Sequence, residues 1–199
     1  KRMKVTLALL IIALTAICIA QRPPKTPYLA SQWSAFIDFD CSPITCGGRG
    51  YYQYDYVGQR VFMQLSSPSS QQLTYTLANY KTNSLYIYNS NGCEQRSLKE
   101  MIPSPTFLAD AFFQSQSGDL VTYTTLNAWP DFWFDKQERH QWVVKVFNST
   151  SMYSIPIKYT YIGPISIESR DYITMNFNSY LAGPESLNDV YWKVPSVCE

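Results

Sequence analysis

The chain has 199 residues, with 16 Lys or Arg against 15 Asp or Glu and a single histidine. A balance this close to neutral excludes a nucleic-acid binder acting through a basic face and a protein that docks on membranes through a polybasic patch. Sixteen Tyr, ten Phe and five Trp fit β-structure, where aromatic and β-branched side chains pack on a pleated surface.

Residues 5–20, VTLALLIIALTAICIA, carry no charge and follow Lys1, Arg2 and Lys4. A basic start, a short apolar core and small Ala20 ahead of Gln21 read as a secretory signal peptide over residues 1–20. The run is shorter than the roughly 20 apolar residues that span a bilayer, and no stop-transfer cluster of charges follows it. What remains is enough for one domain with its own core and too little for two. The leader holds three of the 16 basic residues and none of the 15 acidic ones, so the remainder is slightly acidic. The expected location is secreted, or the lysosomal or endosomal lumen.

Residues 21–31 include Pro23, Pro24 and Pro27 without periodicity and read as a flexible Pro-rich lead-in. A single domain over residues 32–199 follows. Trp33, Ala35, Ile37 and Phe39 share one face of a strand. Tyr52, Tyr54 and Tyr56 alternate with Gln53 and Asp55. Val61, Met63 and Leu65 alternate with Arg60 and Gln64, and Leu73, Tyr75 and Leu77 with Thr74 and Thr76. Residues 85–88 continue the series. This is period-two strand alternation. Gly58, residues 66–70 with Pro68, residues 81–84 and Asn91-Gly92 separate the runs as turns.

The alternation stops over residues 94–117. Leu98, Met101, Phe107, Leu108, Ala111 and Phe112 recur at helical spacing, and Pro103 and Pro105 divide the stretch. It predicts a turn and then a short helix over 105–114, with Phe107, Leu108, Ala111 and Phe112 facing inward. Strands resume at residues 120–126, 141–147, 152–161, 165–170 and 172–180. Ile155, Ile157, Tyr159 and Tyr161 alternate most cleanly, and Pro156 inside that run predicts an edge or a bulge. The total is roughly nine to eleven antiparallel strands with a short helical insert. A sheet of that size must curl into a half-open barrel or split into layers. Its apolar face then encloses a space that is either filled by its own side chains or kept for a ligand.

Cys18 lies in the leader, which leaves Cys41, Cys46, Cys93 and Cys198. An even count in an oxidising compartment reads as two disulfides, with three pairings open. The spacing suits zinc poorly, with His140 as the sole histidine, and no metal site is expected. Asn148-Ser149-Thr150 is a glycosylation sequon on Asn148. No cofactor motif occurs.

Catalysis is hard to assemble from these residues. His140 stands in the polar stretch DKQERHQW and reads as a solvated surface residue. No Gly-x-Ser-x-Gly elbow occurs. Gly47-Gly48-Arg49-Gly50 lacks the phosphate-loop pattern and reads as a turn after Cys46. Asp131 and Asp135 read as ordinary turn acids rather than a hydrolase pair. They flank Phe132-Trp133-Phe134, part of an aromatic segment, 129–134, in which Trp129 and Trp133 could rim the mouth of an apolar site or touch a membrane surface. Its other reading is a satellite core under a loop.

Several segments together resemble ependymin-related proteins. Residues 50–61, GYYQYDYVGQRV, match the family's Tyr-Asp … Gln-Arg-Val strand-turn-strand. Tyr80-Lys81-Thr82, a following strand and Cys93 match its Tyr-Lys … Cys hairpin. Residues 177–184 and then Val194-Pro195-Ser196-Val197-Cys198 match its closing segment. Order and spacing agree over residues 32–198. The resemblance implies a LolA-like fold, a strongly curved antiparallel sheet with a hydrophobic pocket and short helices beside it. It also implies a secreted or lysosomal glycoprotein with lipid ligands, a homodimer, and a Cys93–Cys198 disulfide that leaves Cys41 and Cys46 as a local pair.

Together these readings describe a binder of a lipid or other apolar ligand rather than an enzyme. The expected pocket is lined by Val61, Met63, Leu65, Leu73, Tyr75, Leu77, Phe107, Phe112, Trp129 and Trp133. The rival reading is an extracellular interaction or adhesion module, calcium-linked in some family members, whose core is filled. A third is an accessory domain of a hydrolase.

Overall fold

The structure is a computed structural model that describes residues 26–42, 46–66, 68, 72–98, 101–125, 139–147, 152–162 and 172–199. The expected signal peptide, the strand expected over residues 165–170, Trp129, Trp133 and the Asn148 sequon lie outside the described residues. Within them, no helix is long and apolar enough to cross a membrane.

The fold is mainly β. Eleven strands run in chain order: β1 (Gln32–Ser42), β2 (Cys46–Asp55), β3 (Arg60–Ser66), β4 (Leu73–Asn79), β5 (Ser84–Asn89), β6 (Gly92–Ser97), β7 (Phe112–Ser117), β8 (Leu120–Thr125), β9 (Arg139–Lys145), β10 (Ile155–Ile162) and β11 (Tyr172–Ala182). They form one antiparallel sheet in the order β6-β5-β4-β3-β2-β1-β11-β10-β9-β8-β7, curved and unclosed. Every neighbouring pair except β1–β11 is also consecutive in sequence. Hairpins therefore build both halves, and β1 with β11 joins them along a ladder from Trp33↔Ala182 to Ser42↔Tyr172.

One apolar cluster collects side chains from both halves of the sheet, including Trp33, Tyr52, Val61, Leu85, Val121, Trp142, Tyr159 and Phe177. That face is the inside of the curve. Two bulges shape it. The β1–β11 register shifts between Ser34 and Phe36, where Ser179 takes a left-handed φ of 52°. The extra residue turns both Phe177 and Tyr180 toward Trp33, at 5.8 and 5.4 Å between ring centroids, although three positions along a regular strand would point them to opposite faces. The second shift falls between Pro156 and Lys158 in β10. Pro156 produces a bulge there, and β10 is an interior strand rather than an edge.

Three expectations need correction. Residues 47–50 are part of β2 and not a turn. Their glycines are there for close approach: a Cβ on Gly50 would meet the Gln64 carbonyl and the Ile37 and Leu65 side chains. The lead-in is not flexible where it is described, since Leu29 and Ala30 are buried and the Leu29 N–H donates to the Pro105 carbonyl at 3.0 Å. The helix over 105–114 is reduced to a single 3₁₀ turn, Phe107–Asp110. Ala111 is already extended and β7 begins at Phe112. A helix that short is marginal alone, whereas the free edge of β8 offers these backbone groups a full ladder.

Candidate functional site

The inner face is the candidate site. Trp33 lies at its centre, stacked on Tyr52 at 5.0 Å and flanked by Tyr54 at 5.8 Å. Trp142 on β9 contacts Tyr159 at 4.7 Å and Phe177 at 6.1 Å. Val61, Met63 and the partly buried Leu65 join this face as expected.

Leu73, Tyr75 and Leu77 do not. The ladder pairs Val61 with Ala78 and Met63 with Thr76, so β4 presents its small residues inward. Leu77 pairs with Phe62 and Tyr75 with Gln64, on the opposite face, and Leu73 at the strand end is 38% exposed. Each strand's alternation was legible, but which of its two faces turns inward is set by cross-strand register. Phe107 packs against Trp142 at 5.1 Å, whereas Phe112 stands on an edge strand, 59% exposed.

The inner face is covered by residues 26–31 and 101–111. Ile102, Pro105 and Leu108 of this cover are buried. The Tyr54 hydroxyl donates to the Pro103 carbonyl at 2.6 Å. Burial, helped by the neighbouring tyrosines, pushes the Tyr54 hydroxyl far above its ordinary pKa and keeps it a donor. Regular structure in the cover amounts to the one 3₁₀ turn.

The outer face is covered differently, by residues 184–199. Tyr191 stacks on Phe62 at 4.4 Å, and the Arg60 guanidinium lies 4.4 Å over the Trp192 ring. Arg60 is held by Asp55 at 2.8 Å; Gln32 and the Gly58 N–H also donate to Asp55. The Asn188 N–H donates to the Gln53 side-chain oxygen at 3.2 Å. Tyr75 stacks on Tyr88 at 5.0 Å, and burial pushes the Tyr88 hydroxyl up to about 12. The tail ends in a disulfide, Cys93–Cys198, with Cα atoms 5.1 Å apart. The pairing implied by the family resemblance is present. Cys41 is also disulfide-bonded, and its Cα partner in the ladder is Cys46.

His140 reverses its expectation. It is fully buried on the inner face, beside Trp142 and Val144 in β9 and across from Thr125 and Tyr161. Its Nδ1 lies 2.7 Å from the Tyr159 hydroxyl, and its ring stacks on Tyr159 at 5.8 Å. Burial lowers its pKa to about 4, so the ring is neutral at ordinary pH. Its Nε2 has no hydrogen-bond partner among the described residues, nor has the Tyr123 hydroxyl on β8. The polar flank of residues 135–141 masked an alternation of His140, Trp142 and Val144 that would have placed it. No group of three His, Cys, Asp or Glu that could hold a metal occurs among the described residues.

No protein-family model matches this chain, and no curated protein matches it in sequence. It is similar in structure to an uncharacterized conserved protein from Thermus thermophilus, at 10% identity and a TM-score of 0.53, over 92% of this chain and 95% of that one. That likeness concerns the fold.

Proposed function

We propose that this protein binds a lipid or other apolar ligand on the inner face of its curved sheet, in the secretory or endolysosomal pathway, and is not an enzyme. The observation that carries the reading is the closure of that face. Among the described residues, a large aromatic surface is roofed by residues 26–31 and 101–111, which hold one 3₁₀ turn, rather than by a second sheet or a long helix. A thin cover with few hydrogen bonds can open at low cost, and burying an acyl chain beneath it contributes about 0.8 kcal/mol per methylene. The resemblance of residues 32–198 to ependymin-related proteins, the sequon at Asn148 and the leader-like residues 1–20 support the same reading. So does the use of the sole histidine in a tyrosine stack.

A second reading has its own observation. Trp33, Tyr52, Trp142, Tyr159 and Phe177 pack ring against ring, as they would in a filled core behind an interaction surface. Mass spectrometry of an organic extract of the purified protein, with transfer of fluorescent lipid probes, uncharged as well as anionic, at neutral and endosomal pH, separates the two. Co-purified lipid and saturable uptake are expected. An empty extract and no uptake at either pH would favour the interaction module.

A further inference from the structure

We propose that the ligand of the inner face is a neutral lipid with a hydroxyl head, and that the head is anchored at the β8–β9 end of the sheet by His140 and Tyr123. This rests on the lipid-binding reading above and adds the chemical class of the ligand.

Two polar atoms on adjacent strands carry the inference. His140 Nε2 and the Tyr123 hydroxyl are both buried on the inner face without a partner among the described residues. Tyr123 pairs with Trp142, and His140 lies two positions before Trp142, so the two side chains are diagonal neighbours on one face. Buried polar groups are normally satisfied; Trp33 Nε1 on this face is also without a partner among the described residues, but His140 and Tyr123 are diagonal neighbours, able to meet one polar end of a ligand together.

The head must suit a neutral imidazole. With Nδ1 engaged by the Tyr159 hydroxyl, Nε2 is a donor or an acceptor according to tautomer. A hydroxyl both donates and accepts, and so satisfies either tautomer. An anionic head would need a cation, because a buried unpaired carboxylate or phosphate is heavily penalised. Among the described residues, no Lys or Arg is buried. Arg60 and Lys145 are paired with Asp55 and Asp119, and the ladders put both on the outer face, out of step with Val61 and Val144. Fatty alcohols, sterols and diacylglycerols fit these conditions; fatty-acid anions and phospholipids do not.

The test uses the whole protein with three radiolabelled sixteen-carbon probes delivered from cyclodextrin at neutral pH: 1-hexadecanol, palmitate and hexadecane. Wild type is expected to bind hexadecanol at least tenfold more tightly than either of the others. His140→Phe keeps the ring and its packing, and is expected to weaken hexadecanol roughly tenfold to a hundredfold while leaving hexadecane unchanged. Tyr123→Phe should weaken hexadecanol less and in the same direction. If His140→Phe does not fold, the Tyr123→Phe result and the wild-type ranking decide. Palmitate binding as tightly as hexadecanol, or hexadecanol affinity unchanged in the variants, would overturn the anchor and leave lipid binding in place. Binding of none of the probes by wild type would overturn both.

Discussion

Over the outer face, residues 184–199 are tied to β6 by the Cys93–Cys198 bond and to β3 by Tyr191 on Phe62. Over the inner face, residues 101–111 are held by Ile102, Pro105 and Leu108, by the Tyr54–Pro103 hydrogen bond and by one backbone bond to Leu29. The two covers shelter aromatic surfaces of one sheet, but the outer one is closed covalently and the inner one by side-chain burial and hydrogen bonds, among them Ser154 N–H to the Tyr28 carbonyl and Tyr56 N–H to the Ser31 carbonyl. A cover held by burial and a few hydrogen bonds, with no covalent tie, can lift without unfolding the strands beneath it. On the lipid-binding reading proposed above, the difference gives the outer cover a part in stability and the inner one a part in access.

Cutting the outer tie tests this most severely. A Cys93→Ser, Cys198→Ser double variant opens a loop with a sequence separation of 105 residues, and stability is expected to fall by about 4–5 kcal/mol in the chain-entropy model. Chemical denaturation reads the loss. Retained lipid uptake in the folded fraction would sharpen the division of labour, and a full loss of uptake without unfolding would break it.

Loosening the inner cover should have a smaller effect on stability and a larger one on exchange. Ile102→Ala is expected to cost about 2 kcal/mol, the low end for such truncations, because its surroundings can settle. Lipid release should become faster, as measured by transfer to acceptor vesicles. Slower release would contradict an access role.

The third effect depends on pH. Burial lowers the folded-state pKa of His140 to about 4, below the ordinary value of about 6.5. The unfolded chain therefore takes up the proton first as pH falls. Stability that is complete above about pH 6.5 is lost progressively toward pH 4. Melting temperatures across that window should fall more steeply for wild type than for His140→Phe. Parallel curves would show that the ring is hydrated and titrates normally.

The smallest effect is expected at Phe112. On an exposed edge strand, Phe112→Asp should change stability by about 0.5 kcal/mol or less. A loss of several kcal/mol would restore the buried helix suggested by the spacing of Phe107, Leu108, Ala111 and Phe112.

These outcomes also mark what could be read from the chain. The strand runs, the curved sheet and the bulge at Pro156 were legible, because period-two alternation and a proline inside it have direct physical causes. The face of β4 was not. Leu73, Tyr75 and Leu77 look like inner-face residues until register with β3 turns them toward the tail. The bulge that signalled itself at Pro156 also changes which residues point inward, so Pro156 is buried opposite Val144 while Ile155 is only partly buried. β7 was missed because Phe112–Ser117 is stabilised by its neighbour β8 rather than by its own pattern. His140 was misjudged because burial is a property of the strand pair around it, not of its sequence flanks.

Hydrogen exchange on the unmodified protein, with and without saturating 1-hexadecanol, tests the assignment of the two covers most directly. The account predicts that without lipid the amides of Leu29, Phe107, Ala109 and Ala111 exchange faster than those of Asn188, Val190 and Cys198, all of which are hydrogen-bonded. Lipid should slow the first group and leave the second unchanged. Protection gained in the tail, or no change in residues 101–111 when lipid binds, would contradict it.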